Sequence, residues 1–224
     1  MWIALRTLRR LPESRRFEHD EQIPDEVHHQ HVRPVRLVIL ALSGFLLNVF
    51  VAPTQQLQTD YLKNARGMSF TGIAVFLLVT NTWGFIGIIG GAQLADRWSR
   101  RLAAAVGVIG LTVGNTLMFQ VSGAPMWLAS VLGSVVGGAV IPSLGALLPE
   151  LFPTLRRGAA NGLLNVAGVA GSVVGLQIVG RAVAGYDYGP TIAVLELCPL
   201  AAAALVPFLP ETAGRELEDI NPDD

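Results

Sequence analysis

Six long apolar tracts separated by short polar breaks organise the 224 residues of this chain. They run over residues 35–56, 70–95, 102–120, 124–148, 159–184 and 190–209. A bilayer core about 30 Å thick takes roughly 20 helical residues to cross, and each tract is long enough. Backbone N–H and C=O groups find no water in lipid, so each tract predicts a helix that satisfies its own hydrogen bonds. A barrel would show alternating segments of about ten residues, and none of these tracts has a period of two. The pattern predicts an all-α membrane protein with six transmembrane helices.

Glycine and proline refine the picture. Gly87/Gly91, Gly110/Gly114, Gly133/Gly137, Gly158/Gly162 and Gly171/Gly175 each lie four apart inside a tract. That spacing leaves a groove into which a neighbouring backbone can fit. Pro142, following Gly137-Gly138, and Pro199 predict bends in the fourth and sixth helices, because each removes a backbone donor.

Composition agrees with a lipid-facing bundle. The chain is 51% hydrophobic and 15% charged, with a mean hydropathy of +0.49; soluble domains carry roughly a quarter charged residues. The net charge of −1 says little, because placement matters more than the total. With the turn holding Asp96, Arg97, Arg100 and Arg101 on the cytoplasmic side, thirteen of the sixteen Lys and Arg residues fall on that side. Lys63, Arg66 and Arg181 fall on the other. The positive-inside rule therefore predicts a multi-pass protein of the cell (plasma or inner) membrane with both termini cytoplasmic.

Residues 1–34 form a basic segment, with Arg6, Arg9, Arg10, Arg15, Arg16 and Arg33 among several acids. Met1–Leu5 is too short for the apolar centre of a signal peptide. His19, His28, His29 and His31 match no metal-ligand spacing and read as part of a solvated linker. Cys198 is the one cysteine, which excludes an internal disulfide. No Ser/His/Asp set, metal cluster or phosphate loop stands out. The expectation is no enzyme, no cofactor and no nucleic-acid partner.

Three polar stretches at helix ends carry a resemblance. Leu94-Ala95-Asp96-Arg97-x-x-Arg100-Arg101 resembles the loop signature of the major facilitator superfamily, with Ala92 and Ser99 where that pattern has glycine. Glu150-x-x-Pro153-Thr154-x-x-Arg157-Gly158 resembles an element of its sugar-porter-like branch. Leu209-Pro210-Glu211-Thr212-x-Gly214 resembles the stretch after that branch's twelfth helix. Leu11-Pro12-Glu13-Ser14-Arg15 is similar to the element after the family's sixth helix. Together they imply the carboxy-terminal half of a twelve-helix transporter: the central loop over 1–34, a six-helix bundle over 35–210 built as a 3+3 inverted repeat, and an acidic tail over 211–224.

Site expectations follow. Asp96, Arg97, Arg100, Arg101, Glu150, Arg157 and Glu211 lie at helix ends that share one face of a compact bundle. The resemblance implies a cytoplasmic charge network that gates the transporter. The plainer reading is a set of topology-setting charges worth at most about 1 kcal/mol each when exposed. A substrate cavity in such architectures lies near mid-membrane. Asn48, Asn81, Asn165 and Gln177 are candidates for it, since an amide in lipid needs a partner or a wet cavity. Interhelical hydrogen bonding is the alternative for each. Asn115 reads as packing, and Gln55 and Gln56 as either vestibule or wet surface. Glu196, inside the sixth tract, is a candidate for proton coupling or for an interfacial contact with Arg181 or Tyr188. The expected partners are a small polar solute (a sugar or an organic or aromatic acid), the lipid bilayer, and either a missing amino-terminal half or a second copy.

Overall fold

The computed structural model describes residues 34–152, 156–182 and 188–213, with backbone alone for 148–150. The basic segment with its histidines, the Leu11–Arg15 element, the Glu150 side chain, Pro153 and Thr154, and the tail from Gly214 lie outside the described residues. All regular structure among those described is helical. The helices are α1 Pro34–Asp60, α2 Phe70–Arg97, α3 Arg100–Gln120, α4 Ala124–Gly137, α5 Val140–Glu150, α6 Arg157–Ala182, α7 Tyr188–Leu195 and α8 Leu197–Leu205. They make six helices long and apolar enough to cross a membrane, with α4–α5 and α7–α8 as the interrupted fourth and sixth.

Both interruptions sit where proline placed them. Pro142 cannot donate to the carbonyl four residues back, at Gly138, and the helix breaks there between Gly137 and Val140. Pro199 likewise has no N–H for Leu195, and α7 ends at that residue. The first span departs from the expected boundary. It continues past Gln56 through Asp60 and a π turn at Tyr61–Ala65. Residues 57–65 are polar yet contain no Gly or Pro, so nothing stops the helix before Gly67. That glycine has φ +64°, and the Met68 N–H closes onto Leu62 O at 3.0 Å. This is a Schellman-type ending that a residue with a Cβ would strain. Ser69 and Ser99 cap the next two helices, accepting from Gly72 N–H and Leu102 N–H at 3.1 Å each.

Packing is fixed by the glycine seams. A Cβ at Gly87 would stand 1.9 Å from Val135 O, and one at Gly114 would stand 2.3 Å from Gly133 Cα. At Gly171 and Gly175 it would meet Phe45 O and Val49 O at 2.2 and 2.1 Å. The second and third spans thus press backbone to backbone on the fourth, and the fifth on the first. Gly158 and Gly162 differ from the other pairs, with open space where a Cβ would be.

The packing pattern maps onto itself when spans one, two and three are exchanged with four, five and six. The one–five pair becomes four–two, and the three–four pair becomes six–one. That is the signature of a three-plus-three repeat. Two apolar clusters close the ends. One joins Phe50, Tyr61, Phe76, Met118 and Ile192, and the other joins Leu40, Leu147, Phe152, Val206 and Leu209. The third span is the most enclosed, with half of its crossing window buried, against 17–22% for the first, second and fifth. Exposed apolar side chains such as Val38 and Leu128 would need no partner in lipid.

Candidate functional site

Two polar features interrupt this apolar bundle. The first lies at the end where α2 turns into α3. Glu211, just past the sixth span, reaches back to the head of α3. Its Oε1 accepts from the backbone N–H groups of Arg100, Thr212 and Ala213 at 3.1 Å each. Its Oε2 accepts from Arg101 Nε at 3.2 Å and from the Ser99 hydroxyl. Arg101 Nη1 also donates to Leu209 O at 2.8 Å and Pro207 O at 3.1 Å. It thereby satisfies carbonyls that the ending sixth span leaves over. Arg100 Nη1 reaches Thr212 Oγ1 at 3.4 Å.

Burial would push the Glu211 carboxyl up. The hydrogen bonds from Ser99, Ala213 N–H, Arg101 and Arg100 N–H outweigh burial and hold it down at about 2. The positive end of α3 favours the same charge. The sequence picked out Arg100, Arg101 and Glu211 but not their pairing. It marked Ser99 only as a departure from the glycine of the family pattern, whereas Ser99 caps α3 and donates to Glu211. The residue type was the available signal, since serine before a helix is a favoured cap.

The other candidates in this set are less engaged. Asp96 meets Arg100 at 3.7 Å with 69% of its side chain exposed, a geometry worth little in itself. Arg97 is exposed. Arg157 donates weakly to Phe152 O at 3.5 Å, and its Nε is buried without a partner among the described residues.

The second feature is a cavity of about 520 Å³ bounded by the first, second, third and fourth spans. Its polar lining comes from Gln55, Gln58, Thr80, Asn81, Asn115, Ser130 and Ser134, and none of its lining side chains is charged. The break in the fourth span contributes Gly137 and Gly138 to the wall, where the carbonyl of Gly138 lacks its usual helical donor. Asn115 spends its amide N–H on Leu111 O at 2.9 Å, leaving its carbonyl oxygen for the cavity. Gln58 Nε2 lies 3.3 Å from Met118 Sδ.

Asn81, a substrate-cavity candidate from sequence, lines this cavity. Asn115, read from sequence as packing, lines the same wall. Gln58 belongs there too, and was missed because residue 58 was expected in a loop. Asn48 instead sits in the seam between the first and fifth spans. Its Nδ2 donates to Gly44 O at 2.8 Å, and its Oδ1 faces Ser172 Oγ at 3.5 Å. Asn165 and Gln177 are exposed on α6. Glu196 is half-buried at the joint between α7 and α8, away from the cavity. Tyr188 donates to Asp60 rather than to Glu196.

The sequence profile described as Major Facilitator Superfamily matches residues 37–221. This chain belongs to the Major Facilitator Superfamily. A Haemophilus influenzae protein described as a "Putative metabolite transport protein" is 28% identical over 162 residues, covering 71% of this chain and 40% of that protein. Among solved structures, the crystal structure of a peptide transporter POT (E310Q mutant) in complex with alafosfalin superposes with a TM-score of 0.63 at 15% identity. The overlap covers 83% of this chain and 38% of that one. The second comparison concerns the fold, which is a major facilitator fold. This major facilitator chain spans about 40% of the length of the relatives it matches. Membership of the superfamily points to transport rather than to an enzyme.

Proposed function

We propose that these residues form the carboxy-terminal six-helix half of a secondary active transporter that moves a small polar solute by alternating access. The cavity carries this reading. Four carboxamides and three hydroxyls converge on about 520 Å³ within an apolar bundle, and amides in a lipid-spanning bundle are costly without a polar occupant, a partner or water. Uncharged amides both donate and accept, so they suit a hydroxyl-bearing solute such as a sugar, or the polar flank of an organic acid. Asn165 and Gln177, exposed on the fifth span, lie where an opposing half could bring a second cavity wall. Asn48 serves as a seam residue that orients α1. Glu196 remains the candidate coupling carboxylate, set at a helix joint able to move.

In this reading the Glu211 cluster holds the cytoplasmic end closed, with Asp96, Arg97, Glu150 and Arg157 as further gate charges. Opening would release the Arg101 and Ser99 bonds together. The test is uptake of labelled sugars and organic acids into proteoliposomes. The chain alone should give no specific flux, and joining it to a six-helix amino-terminal half should restore flux. Asn81→Ala in the joined protein should lower transport at least tenfold. Robust uptake by the chain alone would overturn the half-transporter reading.

A second reading is a half-bundle that associates with itself without transporting. The observation favouring it is the unfilled Gly158/Gly162 groove on the fifth span, a surface shaped for another helix. Crosslinking cysteines introduced at Gly162 would yield dimers on this reading, and monomers only on the first.

A further inference from the structure

The end of the bundle opposite Glu211 holds a second cavity, of about 510 Å³, where the first span ends, the third ends and the sixth begins. Tyr61, Arg66, Phe119, Gln120, Tyr188 and Ala193 line it. Arg66 is the only charged side chain in the lining among the described residues. Its Nη2 donates to Val121 O at 2.6 Å, and its guanidinium carbon lies 5.0 Å from the centre of the Tyr61 ring. Its Nε is buried and meets no acceptor among the described residues. No carboxylate forms an ion pair with it among the described residues. The carboxylate nearest in sequence, Asp60, is already held by the Tyr188 hydroxyl and by Asn64 Nδ2 at 2.6 Å.

This leaves a guanidinium with unspent donors and no ion-pair partner among the described residues at the wall of a cavity large enough for a phosphate ester. The negative end of α3 holds one arm of the guanidinium without forming an ion pair with it. Its Phe119 carbonyl takes the Tyr61 hydroxyl at 2.8 Å, and Val121 takes Arg66 itself. The sixth span begins at the cavity with Tyr188 and Gly189, adding the positive end of a helix. A planar guanidinium fork is the side chain best matched to phosphate oxygens. Tyrosines flanking such a fork are typical of the headgroup level of a membrane.

We infer that Arg66, flanked by Tyr61 and Tyr188, forms a binding site for a phosphate group. The phosphate belongs either to a phospholipid headgroup or to a free phosphate ester, both of which present the same oxyanion. The site is separate from the amide-lined cavity and does not depend on the transport reading.

The full chain is purified in detergent, and its thermal unfolding is followed with added phosphatidylglycerol, phosphatidylcholine or inorganic phosphate. Wild type should be stabilised by at least one phosphate-bearing additive, by several degrees. A response to lipids alone assigns the site to headgroups, and a response to inorganic phosphate as well assigns it to phosphate from either source. Arg66→Gln should abolish the shift, and Arg66→Lys should retain part of it. Arg66→Gln also removes the bond to Val121, so Ala193→Phe serves as the second variant. It fills the cavity and leaves every Arg66 bond in place, and should weaken the response at least fivefold. No shift in wild type, or an unchanged shift in both Arg66→Gln and Ala193→Phe, would overturn the inference.

Discussion

The two ends of the third span place opposite charges against opposite ends of one helix dipole, and differ in how completely those charges are used. At the head of α3, Glu211 accepts five hydrogen bonds, three of them from backbone N–H groups. At its tail, Arg66 makes one hydrogen bond and one ring contact. Both charges suit the dipole. Only the first is saturated, so only the first should act as a fastener. The second keeps its charge available for something else.

The largest effect separating the two ends should come from Glu211→Ala. It removes a half-buried, charge-assisted acceptor and leaves Arg101 without its carboxylate, so unfolding in detergent should become easier by about 2–3 kcal/mol. Acid should act through the same group. The folded-state value of about 2 lies below the ordinary 4.5, so its stabilisation is complete above about pH 4.5. It is lost progressively as pH falls towards 2. Thermal scans between pH 5 and 2 should show that loss in wild type and a smaller one in Glu211→Gln.

Ser99→Ala should cost about 1–2 kcal/mol, because one hydroxyl both caps α3 and donates to Glu211. Chemical denaturation would measure it. Arg66→Gln, with one neutral acceptor to lose, should cost about 1 kcal/mol or less when no phosphate is present. A loss at Arg66 equal to that at Glu211 would erase the contrast. Smallest of all, Gly162→Ala should leave stability within about 1 kcal/mol, on the favourable side if helix propensity decides. Gly175→Ala, by contrast, should disrupt the seam on Val49.

How much of this was legible in the sequence follows the same division. Spans could be read because hydropathy acts locally, and Pro142 and Pro199 coincide with the broken helices, although Pro53 lies inside the unbroken α1. The first span's end could not be read from hydropathy, which reports where lipid begins and not where a helix stops; Gly67 was the better marker. Four of the five glycine pairs meet a neighbour, and spacing alone could not single out Gly158/Gly162 as the open one. At the site, Asn81 was visible as an amide at depth. Asn48 carried the same signal but spends its bonds in a seam, and Asn115 was set aside although it lines the cavity. Which residue partners Glu211 is decided by the return of the sixth span beside the third, over a hundred residues away, and no local pattern encodes that.

The route of the chain beyond the sixth span has a practical bearing. Leu209 closes an apolar cluster, but the polypeptide is anchored for four residues more, because Glu211 and Thr212 bond to the start of α3 and the Ala213 N–H ties back onto Glu211. A reporter or affinity tag fused directly after Leu209 would sever those stitches and loosen a helix that begins more than a hundred residues earlier. A fusion joined after Ala213 would leave them whole.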